Sequence, residues 1–162
     1  MRAIRQMLNA AFGGDEFSDD DWLHALGGVH FVLDLDGTIC SHASVVERLL
    51  RVADVERRAG YVEAVATAPA HQGQGLGTRV MRAVGDHIVA NFELGALGTG
   101  RHAFYERLGW RTWRGPTFVR TNEGEHRTAD EDGYIMVLLT HATAQIDLAS
   151  PISCELRPGD PW

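Results

Sequence analysis

The stretch GYVEAVATAPAHQGQGLGTRVMRAVGDHIVANF, Gly60 to Phe92, decides how the rest of the chain is read. Its first part, Gly60–Pro69, is apolar and bounded by glycine and proline, which predicts a buried central strand. Its last part sets Leu76, Val80, Met81, Val84, Ile88 and Val89 along one side of a helix. Between them runs Gln72-Gly73-Gln74-Gly75-Leu76-Gly77, with three glycines at the turn from strand to helix. Glycine lets the backbone turn tightly and approach a ligand closely. Amides at a helix start, backed by the helix dipole, favour an anion. The three pieces together read as a cradle for a pyrophosphate, with a purely structural turn as the rival reading. No Lys-Ser/Thr pair follows, so this is not a P-loop, and no acidic residue closes a second strand at the dinucleotide-binding spacing.

The rest of the chain sets the context. Its 162 residues, 44% hydrophobic and 23% charged, predict one globular domain spanning 1–162. Fifteen basic against 22 acidic residues give a net charge of −7, which argues against nucleic acid and favours cationic small molecules where carboxylates converge. All the basic residues are arginine, which excludes lysine Schiff-base chemistry. Cys40 and Cys154 are too few for a disulfide scaffold or a cysteine-rich zinc site, and the histidines show no metal spacing, so no metal is expected. Without a long apolar run or a signal-like start, the expected location is cytoplasmic, with no membrane partner.

Reading outward, Arg2–Phe12 has a helical apolar pattern, and Ser18 caps a short acidic helix that ends at Gly27-Gly28. His30–Leu35 and Thr38–Leu50 flank Asp36-Gly37, a type I′ hairpin signal. Arg51–Ala59 reads as a polar turn or extension. Leu94–Thr99 reads as a short strand, Arg101–Gly109 as a helix, and Trp110–Arg120 and Tyr134–His141 as strands around a polar, acidic loop. The expected class is α/β with a mixed sheet.

HQGQGLGT between strand and helix, followed by LGA and FYERLGW, resembles the GCN5-related N-acetyltransferases. Gln72, Gly75 and Gly77 match that family's Gln/Arg-x-x-Gly-x-Gly/Ala motif, and Tyr105–Trp110 its aromatic segment. The resemblance implies a mixed, mostly antiparallel central sheet flanked by helices, with the family's first edge strand missing. Over nearly the whole chain the sequence is similar to the aminoglycoside 2′-N-acetyltransferases. The matching pieces are IRQM, AFGGDEF, DWLHALGG, GYVEAVA, LGAL, GW-x-x-W-x-GPT, RTADEDG and RPGDPW. The implied co-substrate is acetyl-CoA, the implied acceptor a cationic aminoglycoside, and the implied assembly a homodimer.

An ammonium must lose its proton before it attacks a thioester, so a base is required. Glu63, mid-strand between apolar neighbours, matches the family's base, which works through ordered water; a structural ion pair with Arg57, Arg58 or another arginine is the alternative. Alternation puts Tyr61, Glu63 and Val65 on one face. Tyr105 matches the general acid aimed at the leaving sulfur, with a core aromatic as the alternative. The resemblance gives the backbone of Val65, Ala66 and Thr67 to the acetyl carbonyl and pantetheine arm, and Gln72, Gly73, Gln74, Gly75, Leu76 and Gly77 to the phosphates. For the drug it implies Asp15, Glu63, Ala64, Gly98, Asp130, Glu131, Asp160 and Trp162. Carboxylates suit its ammonium groups, while a solvated acidic loop is the alternative for Asp130–Asp132. In the acidic loop Glu131 stands where the family more often has aspartate, and the segment from LGAL to Tyr105 is about two residues shorter than the resemblance leads one to expect.

Overall fold

The computed structural model describes residues 1–13 and 17–162. It divides into two compact units, one of Met1–Val46 and Val62–His87, the other of Glu47–Tyr61 and Ile88–Trp162.

The first unit opens with α1 (Arg2–Phe12), which buries Ile4, Met7 and Leu8 at i, i+3, i+4 spacing. Gly13, at φ 85°, ends it in the left-handed conformation. In α2 (Asp19–Ala25) Ser18 Oγ accepts from the Asp21 amide at 3.1 Å, and the Asp21 carboxylate accepts from the Ser18 amide at 2.8 Å. This reciprocal box satisfies two otherwise orphaned donors, and Asp19–Asp21 sit at the positive end of the helix dipole. Arg5 pairs with Asp19. Ile4, Met7 and Leu8 of α1 and Trp22 of α2 are buried in one cluster with Phe17 and Ala66. β1 (Val29–Leu35) and β2 (Thr38–Val52) pair antiparallel from Val29↔Val45 to Leu35↔Thr38. Asp36 and Gly37 at the turn both have positive φ, 51° and 81°, as a type I′ turn requires. The end of β3 (Val55–Thr67) follows, then a 3-10 turn at Pro69–His71, then the start of α3 (Leu76–Asn91).

In the second unit β4 (Leu94–Gly98) lies parallel to β3, Ala59 beside Leu94 and Tyr61 beside Ala96. After α4 (His102–Glu106), β5 (Arg111–Thr112) and β8 (Ile135–Leu139) extend the sheet antiparallel on β4. β6 (Thr117–Thr121) pairs antiparallel with β7 (Gly124–Arg127) and parallel with β9 (Ile152–Glu155), which closes on β2. The order is β5-β8-β4-β3-β2-β9-β6-β7, a mixed and mostly antiparallel sheet. Leu50, Tyr61, Leu94, Leu97, Trp110, Trp113, Ile135, Met136 and Ile152 are almost wholly buried.

Three expectations change. Arg51–Ala59, read as a polar turn or extension, holds a turn only at its centre: β2 runs to Val52, Ala53 and Asp54 turn the chain at φ 46° and 66°, and β3 starts at Val55. Two successive left-handed residues make the tight turn without a glycine to announce it. Trp110–Arg120 is not one strand, because the chain breaks at Gly115-Pro116 between β5 and β6. Proline has no amide for the ladder, and a Cβ at Gly115 would lie 1.9 Å from the Ser150 carbonyl oxygen. The acidic loop is partly ordered, holding β7 and a 3-10 turn at Ala129–Glu131. β9, with Cys154 fully buried in it, had no strand signal of its own. Among the described residues no helix is long and apolar enough to cross a membrane, and no group of three or more acidic, histidine or cysteine residues could hold a metal ion.

Candidate functional site

In the first unit the site residues follow one another along the end of β3. Ala64 has φ 51°, a conformation that a residue with a Cβ rarely adopts. It breaks the period-two pattern, so alternation does not carry from Tyr61 and Glu63 through to Val65; Glu63, Ala64 and Val65 are all half-buried. Arg57 pairs with Glu93 at 3.0 Å, and Arg58 pairs with Glu47 at 3.0 Å.

The segment after Glu63 is tied to β2 by side chains. The Ala64 carbonyl accepts from His42 Nδ1 at 2.8 Å. Ser41 Oγ donates to the Ala66 carbonyl at 3.0 Å and lies 2.9 Å from Thr67 Oγ1. The Ala68 amide donates to the Cys40 carbonyl at 2.8 Å. His42 is fully buried, and burial lowers its pKa to about 4. None of these partners was legible as a site residue in the sequence.

The turn that follows is exposed from Gln72 to Gly75. Gly73 and Gly75 have φ 75° and 76°, and a Cβ at either would meet nothing within 4 Å. Glycine is needed there for its backbone conformation, not to relieve crowding. Gln72 Nε2 donates to the Thr67 carbonyl at 3.2 Å and Gln74 Nε2 to that of Ala70 at 3.4 Å, so both side chains brace the turn. Leu76 is buried and begins the 16-residue α3, with Gly77 in its first turn. An open turn leading into a long helix fits an anionic group such as a pyrophosphate.

In the second unit Tyr105 sits on α4, with its ring edge-on to Phe104 at 4.9 Å and to Trp110 at 6.1 Å. It is 6% exposed, and burial pushes the phenol up to about 12, against a smaller opposing pull from Arg101.

The acidic residues divide. Asp130 and Glu131 lie on the 3-10 turn. Burial raises the Glu131 pKa, and the charges of Asp160 and Asp130 raise it further. Asp132 is spent on structure, paired with Arg127 and accepting from Thr117. Asp160 Oδ1 accepts from the Trp162 amide at 2.9 Å, and the buried Trp162 indole donates to Thr128 Oγ1 at 3.0 Å. Arg157 donates to the carbonyls of Asp160 and Trp162 at 2.9 and 3.0 Å, which ties this segment to itself. Gly98 is exposed at the end of β4, and a Cβ there would lie 3.7 Å from Tyr61 Oη. Asp15 lies outside the described residues.

The sequence reading missed a buried cation. Arg48 is 4% exposed; its Nε donates to Glu155 Oε1 at 2.9 Å, and its guanidinium lies 4.7 Å from the centre of the Tyr61 ring. An arginine inside the apolar run of β2 was the available signal.

The family model for the acetyltransferase (GNAT) family matches residues 1–110. A curated relative from Mycolicibacterium fortuitum, an aminoglycoside 2′-N-acetyltransferase, is 43% identical over 98% of this chain and 83% of its own. The Escherichia coli GNAT family N-acetyltransferase YhbS, solved with CoA, matches with a TM-score of 0.66 at 16% identity, covering 94% of this chain and 83% of its own. A Brucella melitensis GNAT family acetyltransferase, solved with acetyl-CoA, matches with a TM-score of 0.56 at 24% identity, covering 69% and 77%. Some structural relatives are longer, and the chain spans 32% of a GCN5-related N-acetyltransferase from Kribbella flavida.

Proposed function

The chain belongs to the GNAT acetyltransferase family, and we propose that it moves the acetyl group of acetyl-CoA to the 2′-amine of an aminoglycoside. The observation that carries the acceptor assignment is Glu131, whose pKa is raised first by burial and then by the charges of Asp160 and Asp130. A carboxylate held above its ordinary range by burial and by neighbouring like charge is relieved when a cation enters. A sugar bearing several ammonium groups supplies that cation, and its binding should strengthen as pH rises through the Glu131 pKa. The 43% identical relative supports the choice among cationic amines.

The bound co-substrate supplies an activated acetyl group. The exposed Gly73–Gly75 turn and the start of α3 would hold its phosphates, and the backbone of Val65, Ala66 and Thr67 its acetyl carbonyl and pantetheine arm. Glu63 takes the proton of the substrate ammonium through water and leaves a neutral amine. Ala64, Gly98 and Trp162 complete the acceptor side, and Asp15 belongs to it by the same reading. Tyr105 stays protonated at every working pH, so its hydroxyl donates to negative charge that develops on the departing sulfur. The same reading makes the protein a cytoplasmic homodimer whose activity confers antibiotic resistance.

The test is a thiol-release assay with acetyl-CoA, comparing kanamycin B, which has a 2′-amine, with kanamycin A, which has a hydroxyl there. Turnover of kanamycin B alone supports the proposal. Equal turnover refutes the regiochemistry, and no turnover of either refutes the acceptor class.

A further inference from the structure

Two histidines outside the proposed chemistry are joined in a directed chain. His30 on β1 and His42 on β2 lie with Nδ1 of the first 2.9 Å from Nε2 of the second, and with ring centres 5.2 Å apart. His42 is 0% exposed, and its Nδ1 is 2.8 Å from the Ala64 carbonyl oxygen. A carbonyl only accepts, so His42 carries its proton on Nδ1. Burial keeps the ring neutral, so Nε2 is bare and accepts from His30 Nδ1–H. The order of donation is thus fixed: His30 to His42, and His42 to the Ala64 carbonyl.

The receiving residue is the strained one. Ala64 has φ 51° without being glycine, and such strain persists only where surrounding groups over-determine it. A ring hydrogen bond to its carbonyl restrains the peptide between Ala64 and Val65. On one side of that peptide is Glu63, and on the other is Val65, followed by Ala66 and Thr67, which Ser41 already holds. We propose that His42, oriented by His30, is a positioning residue that locks the left-handed turn at Ala64 and so sets the direction of Glu63 and of the amides that follow. This rests on the acetyltransferase reading of the site.

The experiment compares the wild type with His42→Asn, His42→Phe and the double variant His42→Phe/Ala64→Gly. Each is measured for thiol release at saturating substrates, for KM of the amine, for CoA affinity by calorimetry and for thermal melting. Asparagine keeps an N–H near the Nδ1 position, and phenylalanine keeps the ring without a donor. We expect His42→Asn to retain kcat within about threefold. We expect His42→Phe to lose about tenfold or more in kcat, with KM and CoA affinity moving less than about threefold. A left-handed residue with a Cβ is disfavoured by about tenfold, so glycine at 64 should return most of the lost rate. A wild-type kcat in His42→Phe, or no recovery in the double variant, overturns the proposal, since a general packing defect would not be repaired by removing a methyl group at 64. If His42→Phe does not fold, nitrogen-detected NMR of the wild type decides. An Nδ1–H tautomer at His42 supports the chain, and an Nε2–H tautomer overturns it. The NMR result does not depend on turnover, so failure of the acetyltransferase reading is separately visible as a wild type that releases no thiol.

Discussion

Replacing Tyr105 by phenylalanine separates a catalytic phenol from a core aromatic, because the two roles predict opposite changes in stability and rate. The ring packs against Phe104 and Trp110, and phenylalanine preserves both contacts. The change removes the hydroxyl alone and leaves the ring packing in place. At neutral pH the melting temperature should be unchanged or slightly higher. Alkali gives the quantitative handle. The folded-state pKa is raised from 10.0 to about 12, so the folded state holds the proton more tightly, and stability is intact below pH 10 and lost as pH rises through 12. At pH 11 the wild type should have lost about 1.4 kcal/mol from this group, rising to about 2.7 kcal/mol above pH 12, on the order-of-magnitude scale of linkage. Urea melts at pH 9 and pH 11 should therefore show a steeper loss in the wild type than in Tyr105→Phe. Thiol release should fall by about a hundredfold or more if the hydroxyl stabilises the leaving sulfur. A normal rate in the variant would refute the assignment, and parallel urea curves would refute the burial argument.

Glu63→Gln should lower kcat/KM by about a hundredfold near pH 7, with the deficit shrinking in alkali as the amine deprotonates unaided, which a pH–rate profile will read. Gly75→Ala meets no neighbouring atom, yet forces a Cβ onto φ 76°; it should cost about 1 kcal/mol of stability and raise KM for acetyl-CoA more than KM for the amine. Ser18→Ala removes one half of the reciprocal cap on α2 and should lower unfolding free energy by about 1 kcal/mol with turnover unchanged, as a denaturant titration will show.

The parts of the fold that were legible in the sequence are those where local pattern and final structure agree. The apolar spacing of Ile4, Met7 and Leu8, the Ser18 cap, the Asp36-Gly37 turn and the glycines before Leu76 each act over a few residues, and each appears where expected. What was hidden depends on partners distant in sequence. The break at Gly115 exists because Ser150 presses on it, and β9 is a strand because β2 and β6 flank it. The candidate site shows the same division. The acids of the 3-10 turn could be picked out as a group, but that Asp132 is taken by Arg127 while Glu131 is partly buried and feels the charge of Asp160 is a matter of tertiary placement. Ala64 and His42 were invisible as functional positions, since a left-handed alanine and a buried histidine carry no local signature.

The pairing of Arg51 with Ser153 joins positions about a hundred residues apart, and it occupies the side of β2 that would otherwise remain open. Until that late segment has left the ribosome, the nascent polypeptide displays an unclosed strand whose amides and carbonyls are available to any neighbouring extended chain. Biosynthesis of this enzyme should consequently pass through a vulnerable interval, during which chaperone supply and translation speed govern the yield of active molecules more than the equilibrium stability of the finished fold does.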